Sequence, residues 1–402
     1  MVNRVAVFGA GNIGSVEAKD WARVAKVEYI IDINPTAQAL ANEIGAKFIN
    51  EDLTQCLDLK KGYIRGLYWK VNENQILREI VDNTNFWSIS VPTDFHIYFL
   101  ILGLYYKKHI FLEKPTTEDV EHTIKIMNRY PNNKIQVNYV ERAHPVVLSI
   151  IDDIRRSSYK PKYFFNWRGK NLVGITHRGL GGGEGSRILL EDLVHDLSEI
   201  DLIKKHVSSA PFSRVQPNID EIEMLTWKEK NMPYIGDVNT KFRLRFNDGT
   251  LCDIRGGFDE DRERRYFIML DGKTNYTKAY FGQTITRLPG MTPISAVIRG
   301  NANIYVLLDQ IKRGILDTSD SNLIPLLKNL GATFLNMDKY AMKDKMLDGK
   351  PVYGWTPIAR MIDNLVHARN NSQLICPIDD AIEIEKIAKK VYYKKGVKYT
   401  SD

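Results

Sequence analysis

Two stretches of this chain carry side chains suited to chemistry at a substrate oxygen. Lys108-His109-Ile110-Phe111-Leu112-Glu113-Lys114-Pro115 reads as a short strand closed by Glu-Lys-Pro. Proline removes a backbone donor and restricts the residue before it to extended geometry, so Lys114 is held at the strand's carboxyl end. A fixed ammonium there could stabilise negative charge developing on an oxygen. The second stretch is Leu189-Leu190-Glu191-Asp192-Leu193-Val194-His195-Asp196-Leu197-Ser198-Glu199-Ile200-Asp201, preceded by Gly181-Gly182-Gly183. Its apolar residues 190, 193, 194, 197 and 200 fall on one helical face, and Glu191 and His195, four apart, lie together near the other. Asp192 stands one residue nearer. A carboxylate beside an imidazole fixes its tautomer and raises its basicity, as a general base for a hydroxyl proton requires. Read without context, such a pair is more often solvated or structural.

The elements that must position these groups begin at the N-terminus. Arg4-Val5-Ala6-Val7-Phe8 runs into Gly9-Ala10-Gly11-Asn12-Ile13-Gly14 and then a helix-compatible stretch. A strand followed by Gly-x-Gly-x-x-Gly and a helix is the dinucleotide-binding fingerprint. Gly9 permits the tight turn, Gly11 lets backbone approach a pyrophosphate, and Gly14 lets the helix pack closely on the sheet. The pyrophosphate would rest on the positive end of that helix. A second buried strand, Val27 to Ile31, ends at Asp32, eighteen residues after Gly14. An acid in that place can accept hydrogen bonds from the adenosine ribose. It would also repel a 2′-phosphate, and Ile33 offers no cation to receive one, so NAD is expected over NADP.

Residues 1–140 alternate strands (4–9, 27–32, 86–91, 109–113, 134–139) with helical patterns, as a doubly wound parallel sheet requires. Residues 51–80 read as a surface excursion ahead of a helix near 73–83. From about 160 the pattern turns to strand-like alternation at 162–168, 241–250, 251–257, 265–271 and 277–281. Asn247-Asp248-Gly249-Thr250 forms a hairpin turn there, and 186–207 is a helix. The expectation is a Rossmann domain at 1–140 and an α+β domain with a large open, mainly antiparallel sheet at 141–402, ending in helices at 303–313, 321–340, 355–370 and 378–393. Asp259 to Arg265 reads as a charged hairpin loop with compensating salt bridges.

With 402 residues, 44% hydrophobic and 26% charged, the composition is that of an ordinary globular protein. The net charge of +7 is spread along the chain with no long basic run, which speaks for anionic small molecules rather than nucleic acid. Cys56, Cys252 and Cys376 are too few and too scattered for a disulfide framework or a zinc site, and no metal is expected. No apolar run reaches a membrane span, and the strand at the N-terminus leaves no room for a signal peptide. A cytoplasmic protein is expected.

Taken in order, the glycine loop, Ser90-Val91-Pro92-Thr93-Asp94-Phe95-His96, Glu113-Lys114-Pro115, Asn138-Tyr139-Val140-Glu141-Arg142 and the glycine run before His195 resemble the Gfo/Idh/MocA family, named for glucose–fructose oxidoreductase and inositol dehydrogenase. The resemblance covers most of residues 1–280. It implies an NAD-dependent oxidoreductase acting on a secondary alcohol or ketone of a sugar, cyclitol or derivative. It also implies that Lys114 and His195 flank the reacting carbon, with Val91, Pro92, Thr93, His96, Glu113 and Asn138 near the cofactor. The family commonly has aspartate four residues before the histidine, where this chain has Glu191, and another three residues after it, where this chain has Ser198. Substrate-facing candidates are Tyr139, Arg142, Trp167 and Arg168, followed by Lys170, His177 and Arg178. Two other classes remain open: an NAD-dependent glycoside hydrolase of this architecture, and a non-catalytic NAD-binding regulator. The open sheet face suggests a homodimer or homotetramer.

Overall fold

The computed structural model describes residues 3–56, 74–116, 130, 132–157, 161–171, 192–207, 217–227, 236–257, 259–270, 275–280, 295–300, 325, 329, 333–334, 346–347, 350–351, 356–393 and 398–399. The chain divides into two compact units. The first joins Met1–Ala143 to Met346–Ile382, and the second joins His144–Lys345 to Glu383–Asp402. The sequence reading assigned everything beyond residue 140 to the second domain, so the return of 346–382 to the first unit is a difference.

In the first unit, β1 (Arg4–Phe8), β2 (Lys26–Ile31), β3 (Lys47–Ile49), β4 (Phe86–Ile89), β5 (His109–Leu112) and β6 (Ile135–Val137) form a wholly parallel sheet. Its order, β3-β2-β1-β4-β5-β6, is that of a dinucleotide-binding Rossmann sheet, with the switch point between β1 and β4. The strands are short and apolar because both faces are covered. Phe8 packs against Trp87 at 4.7 Å and Phe99 at 4.9 Å between ring centroids. The crossover helices are α1 (Asn12–Val24), α2 (Ala37–Ile44), α3 (Gln75–Asn83) and α4 (Thr93–Tyr105). The Asn74 side chain accepts from the Leu77 N–H at 2.8 Å and starts α3. Five strands fall where the sequence places them; β3, only three residues long, was not foreseen. Of the expected excursion at 51–80, residues 57–73 lie outside the described residues.

In the second unit, α5 (Pro145–Ser157) precedes β7 (Tyr163–Asn171), and α6 (Val194–Val207) precedes β8 (Asn218–Trp227), β9 (Gly236–Arg245), β10 (Leu251–Gly257), β11 (Asp259–Leu270), β12 (Asn275–Tyr280), β13 (Ser295–Gly300) and β14 (Thr333–Phe334). A two-stranded pair, β15 (Met346–Leu347) with β16 (Lys350–Pro351), belongs to the first unit. The last helices are α7 (Pro357–His367) and α8 (Ile378–Tyr393), followed by β17 (Lys398–Tyr399). The large sheet has nine strands in the order β14-β13-β12-β11-β7-β10-β9-β8-β17. Only β7/β10 and β8/β17 are parallel, so the expected open, mainly antiparallel sheet is found. The hairpin turn is also found: Gly249 takes φ +82°, a left-handed conformation that favours glycine, and β9 turns into β10.

One expectation changes, and others are met only in part because they fall on residues outside those described. Asp259 to Arg265 is not a hairpin loop but the start of β11, with an irregularity against β7 between Asp259 and Arg264. A bulge takes up surplus residues without ending the strand, which is why the charge run mimicked a turn. Of the helix expected at 186–207, residues 194–207 are α-helix, preceded by a wider helical turn at 192–193, and residues 186–191 lie outside the described residues. Helices expected at 303–313 and 321–340 lie almost wholly outside them too; within the latter, residues 325 and 329 are helical and Thr333–Phe334 is strand.

The C-terminal segment covers the edge of the Rossmann sheet. The Val137 N–H donates to the Cys376 carbonyl at 3.0 Å, and the Cys376 N–H donates to Gln136 Oε1 at 3.1 Å. Lys134 Nζ reaches the carbonyls of Leu365 at 2.6 Å and Ala368 at 2.9 Å, at the C-terminal end of α7, where a cation suits the helix dipole. An open edge at β6 would invite pairing with another chain; residues 371–377 occupy it.

Candidate active site

The Gly9–Gly14 turn stands at the switch point. Gly9 has φ +86°, and a Cβ on it would lie 2.6 Å from the Ser90 carbonyl oxygen; one on Gly14 would lie 2.1 Å from the Gly9 oxygen. Packing therefore demands both. Gly11 differs, since a Cβ there would meet nothing within 4 Å. Its bare backbone is an open cradle, and no side chain caps the first turn of α1. Uncapped N–H groups at a helix N-terminus favour an anion. The Asp32 carboxylate accepts from the Ala10 N–H at 2.5 Å and the Asn34 N–H at 2.7 Å, which ties the end of β2 to the turn. Beside it Ile33 is 71% exposed, and Ile13 on the turn is exposed as well. Gly11 and Asn12 are exposed and Ala10 is half-buried. These residues fit a dinucleotide: an empty cradle for phosphate, a carboxylate for hydroxyls, an apolar wall for a base.

Further along the same edge, Val91 is half-buried, Pro92 is exposed and Thr93 opens α4. His96 is buried and clamps two loops. Its Nε2 lies 2.9 Å from the Val91 oxygen, and its Nδ1 lies 2.9 Å from that of Pro115 and 3.3 Å from that of Thr116. Burial pushes the His96 pKa down, against the pull of those carbonyls and of the Glu113 charge. Lys114 is half-buried, and its N–H donates to Glu113 Oε2 at 3.1 Å. The Lys114–Pro115 bond is cis. Glu113 and Asn138 are buried, and the Asn138 amide donates to Glu113.

That amide also donates to Glu17 Oε1 at 3.0 Å, and Glu17 was not anticipated from sequence. It is fully buried on α1 and accepts from the Ser88 hydroxyl at 2.8 Å and from the Ser90 hydroxyl. The signal was present: Gly14, Glu17, Ala18 and Trp21 are spaced as a helix's buried face, and a glutamate in that pattern must meet polar partners.

Three substrate-facing candidates are buried, and two of them, Arg142 and Arg168, are bonded to aspartates. Arg142 is fully buried, and its guanidinium donates to Asp380 at 2.7 Å and to the Ile375 carbonyl at 3.3 Å, fastening the C-terminal segment. Tyr139 is also fully buried. In the second unit, Arg168 is buried and bonded to Asp196 at 2.9 and 3.2 Å. Its guanidinium joins β7 to the first turn of α6, next to His195. Trp167 and Lys170 lie on β7, but their side chains, like all of His177, Arg178 and Glu191, are outside the described residues. Asp192 and His195 are both buried. The expected two-faced helix is corrected: Asp192 to Lys204 is buried on every side. Asp196, Ser198, Glu199, Asp201 and Lys204 are inside with the apolar residues because partners such as Arg168 and Asp248 receive them. No group of three metal-ligating side chains occurs among the described residues, and no helix there is long and apolar enough to cross a membrane.

Comparison with known proteins agrees with this geometry. Residues 3–139 match the family described as "Oxidoreductase family, NAD-binding Rossmann fold", the Gfo/Idh/MocA family. No curated protein sequence matches the chain. Among solved structures, UDP-N-acetylglucosamine 3-dehydrogenase from Acidithiobacillus ferrooxidans is similar at 13% identity and TM-score 0.63, covering 97% of each chain. The scyllo-inositol dehydrogenase from Lactobacillus casei, solved with NAD(H) and scyllo-inositol, is similar at 14% identity and TM-score 0.59, covering 97% of this chain and 95% of that one. A mutant 3-ketoreductase from Actinomadura kijaniata, in complex with TDP-benzene and NADP, is similar at 12% identity and TM-score 0.63, covering 100% of both. At such identities the likeness is one of fold.

Proposed function

We propose that this chain, whose residues 3–139 carry the NAD-binding Rossmann fold of the Gfo/Idh/MocA oxidoreductases, is an NAD-dependent dehydrogenase acting on a secondary alcohol or ketone of a sugar, cyclitol or sugar derivative. The observation that carries the reading is the turn at the switch point, where Gly11 leaves an open cradle and Asp32 is clasped to Ala10. The turn and the uncapped start of α1 would hold the pyrophosphate, Asp32 the ribose hydroxyls, and Ile13 and Ile33 the adenine faces. Bound there, the nicotinamide would supply or accept the hydride. The Asn138 Oδ1 atom, buried without a partner among the described residues, fits a donor arriving with the cofactor.

In oxidation, His195 takes the hydroxyl proton and Lys114 stabilises the charge left on oxygen; in reduction the roles reverse. Glu191 or Asp192 orients the imidazole. Arg168, bonded to Asp196, holds the first turn of that helix rather than a substrate. The first unit then serves the cofactor, and the second serves substrate and self-association as a cytoplasmic homodimer or homotetramer. The neighbours named above bind NAD(H) with an inositol, or NADP with a nucleotide analogue, which supports a cyclitol or sugar-nucleotide substrate.

The test is a screen of sugars, cyclitols and sugar nucleotides for NADH formation, followed by pH–rate profiles of three variants. His195→Ala should abolish the limb that falls toward acid. Glu191→Gln should shift that limb toward acid, and Asp192→Asn should shift it less. A limb that survives in His195→Ala makes another group the base. Cleavage of a glycoside without net NADH makes the protein a hydrolase instead.

A further inference from the structure

The sheet's carboxyl edge holds two glutamates in contact, and among the described residues no cation pairs with them. Glu17 is fully buried and Glu113 is 8% exposed. One amide nitrogen, Asn138 Nδ2, donates to both carboxyl groups, which brings them against each other. The remaining donors are neutral: the Ser88 and Ser90 hydroxyls to Glu17, and the Lys114 N–H to Glu113. Among the described residues neither glutamate makes an ion pair. The titratable neighbours are His96 of α4, which Glu113 acts on electrostatically and whose pKa burial pushes down, and Lys114, whose backbone N–H donates to Glu113. Two ionised carboxylates in contact and out of water repel each other strongly, and a shared proton relieves this.

We propose that Glu17 and Glu113 hold one proton between them, and that Glu17, as a neutral acid, is a positioning residue that sets Asn138 and the Glu113–Lys114 turn. Protonated Glu17 donates to Glu113, so Glu113 keeps a single negative charge and two fixed donors, Asn138 and Lys114 N–H. The turn that presents the Lys114 side chain is pinned from below. Loss of the proton puts a second charge into a site where no described residue pairs with it, and pushes Glu113 off Asn138. Burial first, then the charge and bond of Glu113, push the Glu17 pKa well above its usual range, while Ser90 and Ser88 pull it back. The role assigned to Lys114 rests on the dehydrogenase reading; the shared proton does not.

The experiment uses the full-length protein without cofactor, so that its failure is distinct from failure of that reading. A carboxylic-acid carbonyl band should be present in the infrared spectrum near neutral pH and be lost in Glu17→Gln. The melting temperature of the parent should fall, relative to Glu17→Gln, as pH rises from about 5 to about 9. The sign follows because a carboxyl whose folded pKa is raised holds its proton only in the folded state, and that advantage is lost as pH rises through the folded value. With cofactor and substrate, Glu17→Gln should keep turnover at about pH 6 within about twofold, since an amide reproduces the acid's donor and acceptor. Glu17→Ala should lose about tenfold or more, because buried donors are left without an acceptor. Glu17→Met, which also removes the second carboxyl, gives the band and melting test should the glutamine variant not fold. Parallel melting curves together with an unchanged acid band would overturn the proposal.

Discussion

Beneath the Gly9–Gly14 turn, Glu17 and Glu113 meet Ser88, Ser90 and Asn138, whereas α6 of the second unit packs Asp196 against Arg168 and Lys204 against Asp248. Both regions bury ionisable side chains with polar partners on a sheet: Glu17 and Glu113 in the first, Asp196, Arg168 and Lys204 in the second, the last reaching out to the exposed Asp248. In the first the partners are hydroxyls and an amide, and in the second they are opposite charges. Neutral partners satisfy lone pairs but leave charge, so that region must respond to protons. Ion pairs cancel charge and are insensitive to pH near neutrality, but each partner becomes indispensable to the other. Asp248, itself exposed, shows what a cation does: partial desolvation pushes its pKa up, yet its bonds to the buried Lys204 and to Thr250 hold it below its usual value.

The largest effect expected from this contrast is in the second unit. Arg168→Leu should cost about 3–5 kcal/mol, the usual penalty for leaving one partner of a buried pair charged and alone. Removing both partners, in Arg168→Leu with Asp196→Leu, should recover most of that loss. Urea unfolding measures each variant; a single mutant as stable as the parent would place Asp196 on another partner and break the contrast. Next in size is a change at the rim of the first unit, where its one assigned cation stands. Lys114→Ala should lower kcat on the order of a hundredfold while leaving NADH affinity nearly intact, as loss of an oriented electrostatic group does. Near-normal turnover would remove Lys114 from the mechanism. Smaller again is Asp32→Ala. A single solvent-screened charge is worth about 1 kcal/mol at close range, so the gap between NAD and NADP affinities should narrow about fivefold. Equal affinities for the parent protein would mean that Asp32 does not face the ribose.

What was legible in the sequence divides along the same line. The parallel strands and their order-defining turn were readable because apolar runs and glycine spacing are local properties. Asp32 at the end of β2 followed from register alone. The roles of Arg142 and Arg168 were not readable. An arginine beside a cleft-forming strand looks the same in sequence whether it meets a ligand or Asp380, which lies far along the chain. The nine-stranded sheet was foreseen in kind, but β8, β13, β14 and β17 were not; β14 and β17 are two residues long, too short to show an alternation. The C-terminal segment had visible helices and no visible address, because the edge it covers, β6, lies more than two hundred residues away.

An effect of similar size, on stability rather than affinity, belongs to that segment. The Thr356 hydroxyl accepts from the Ala359 N–H at 3.0 Å, capping α7, and donates to Asp20 on α1. Thr356→Ala removes the cap, which costs about 1 kcal/mol. It also takes from Asp20 the hydroxyl that holds its pKa down against burial, the dominant influence raising it, and leaves Arg23 and the Ala359 backbone N–H as counterweights. A carboxyl whose folded pKa is raised loses stability as pH climbs from its unfolded value through the folded one. The deficit of Thr356→Ala should therefore be larger near pH 7 than near pH 4, by thermal unfolding at each pH. Thr356→Ser, which keeps the hydroxyl, should erase both the deficit and its slope. A deficit that is the same at both pH values would reduce Thr356 to a plain helix cap. The reliance of buried carboxylates on hydroxyls would then be confined to the Glu17 site, and the contrast between the two units would become one between two sites.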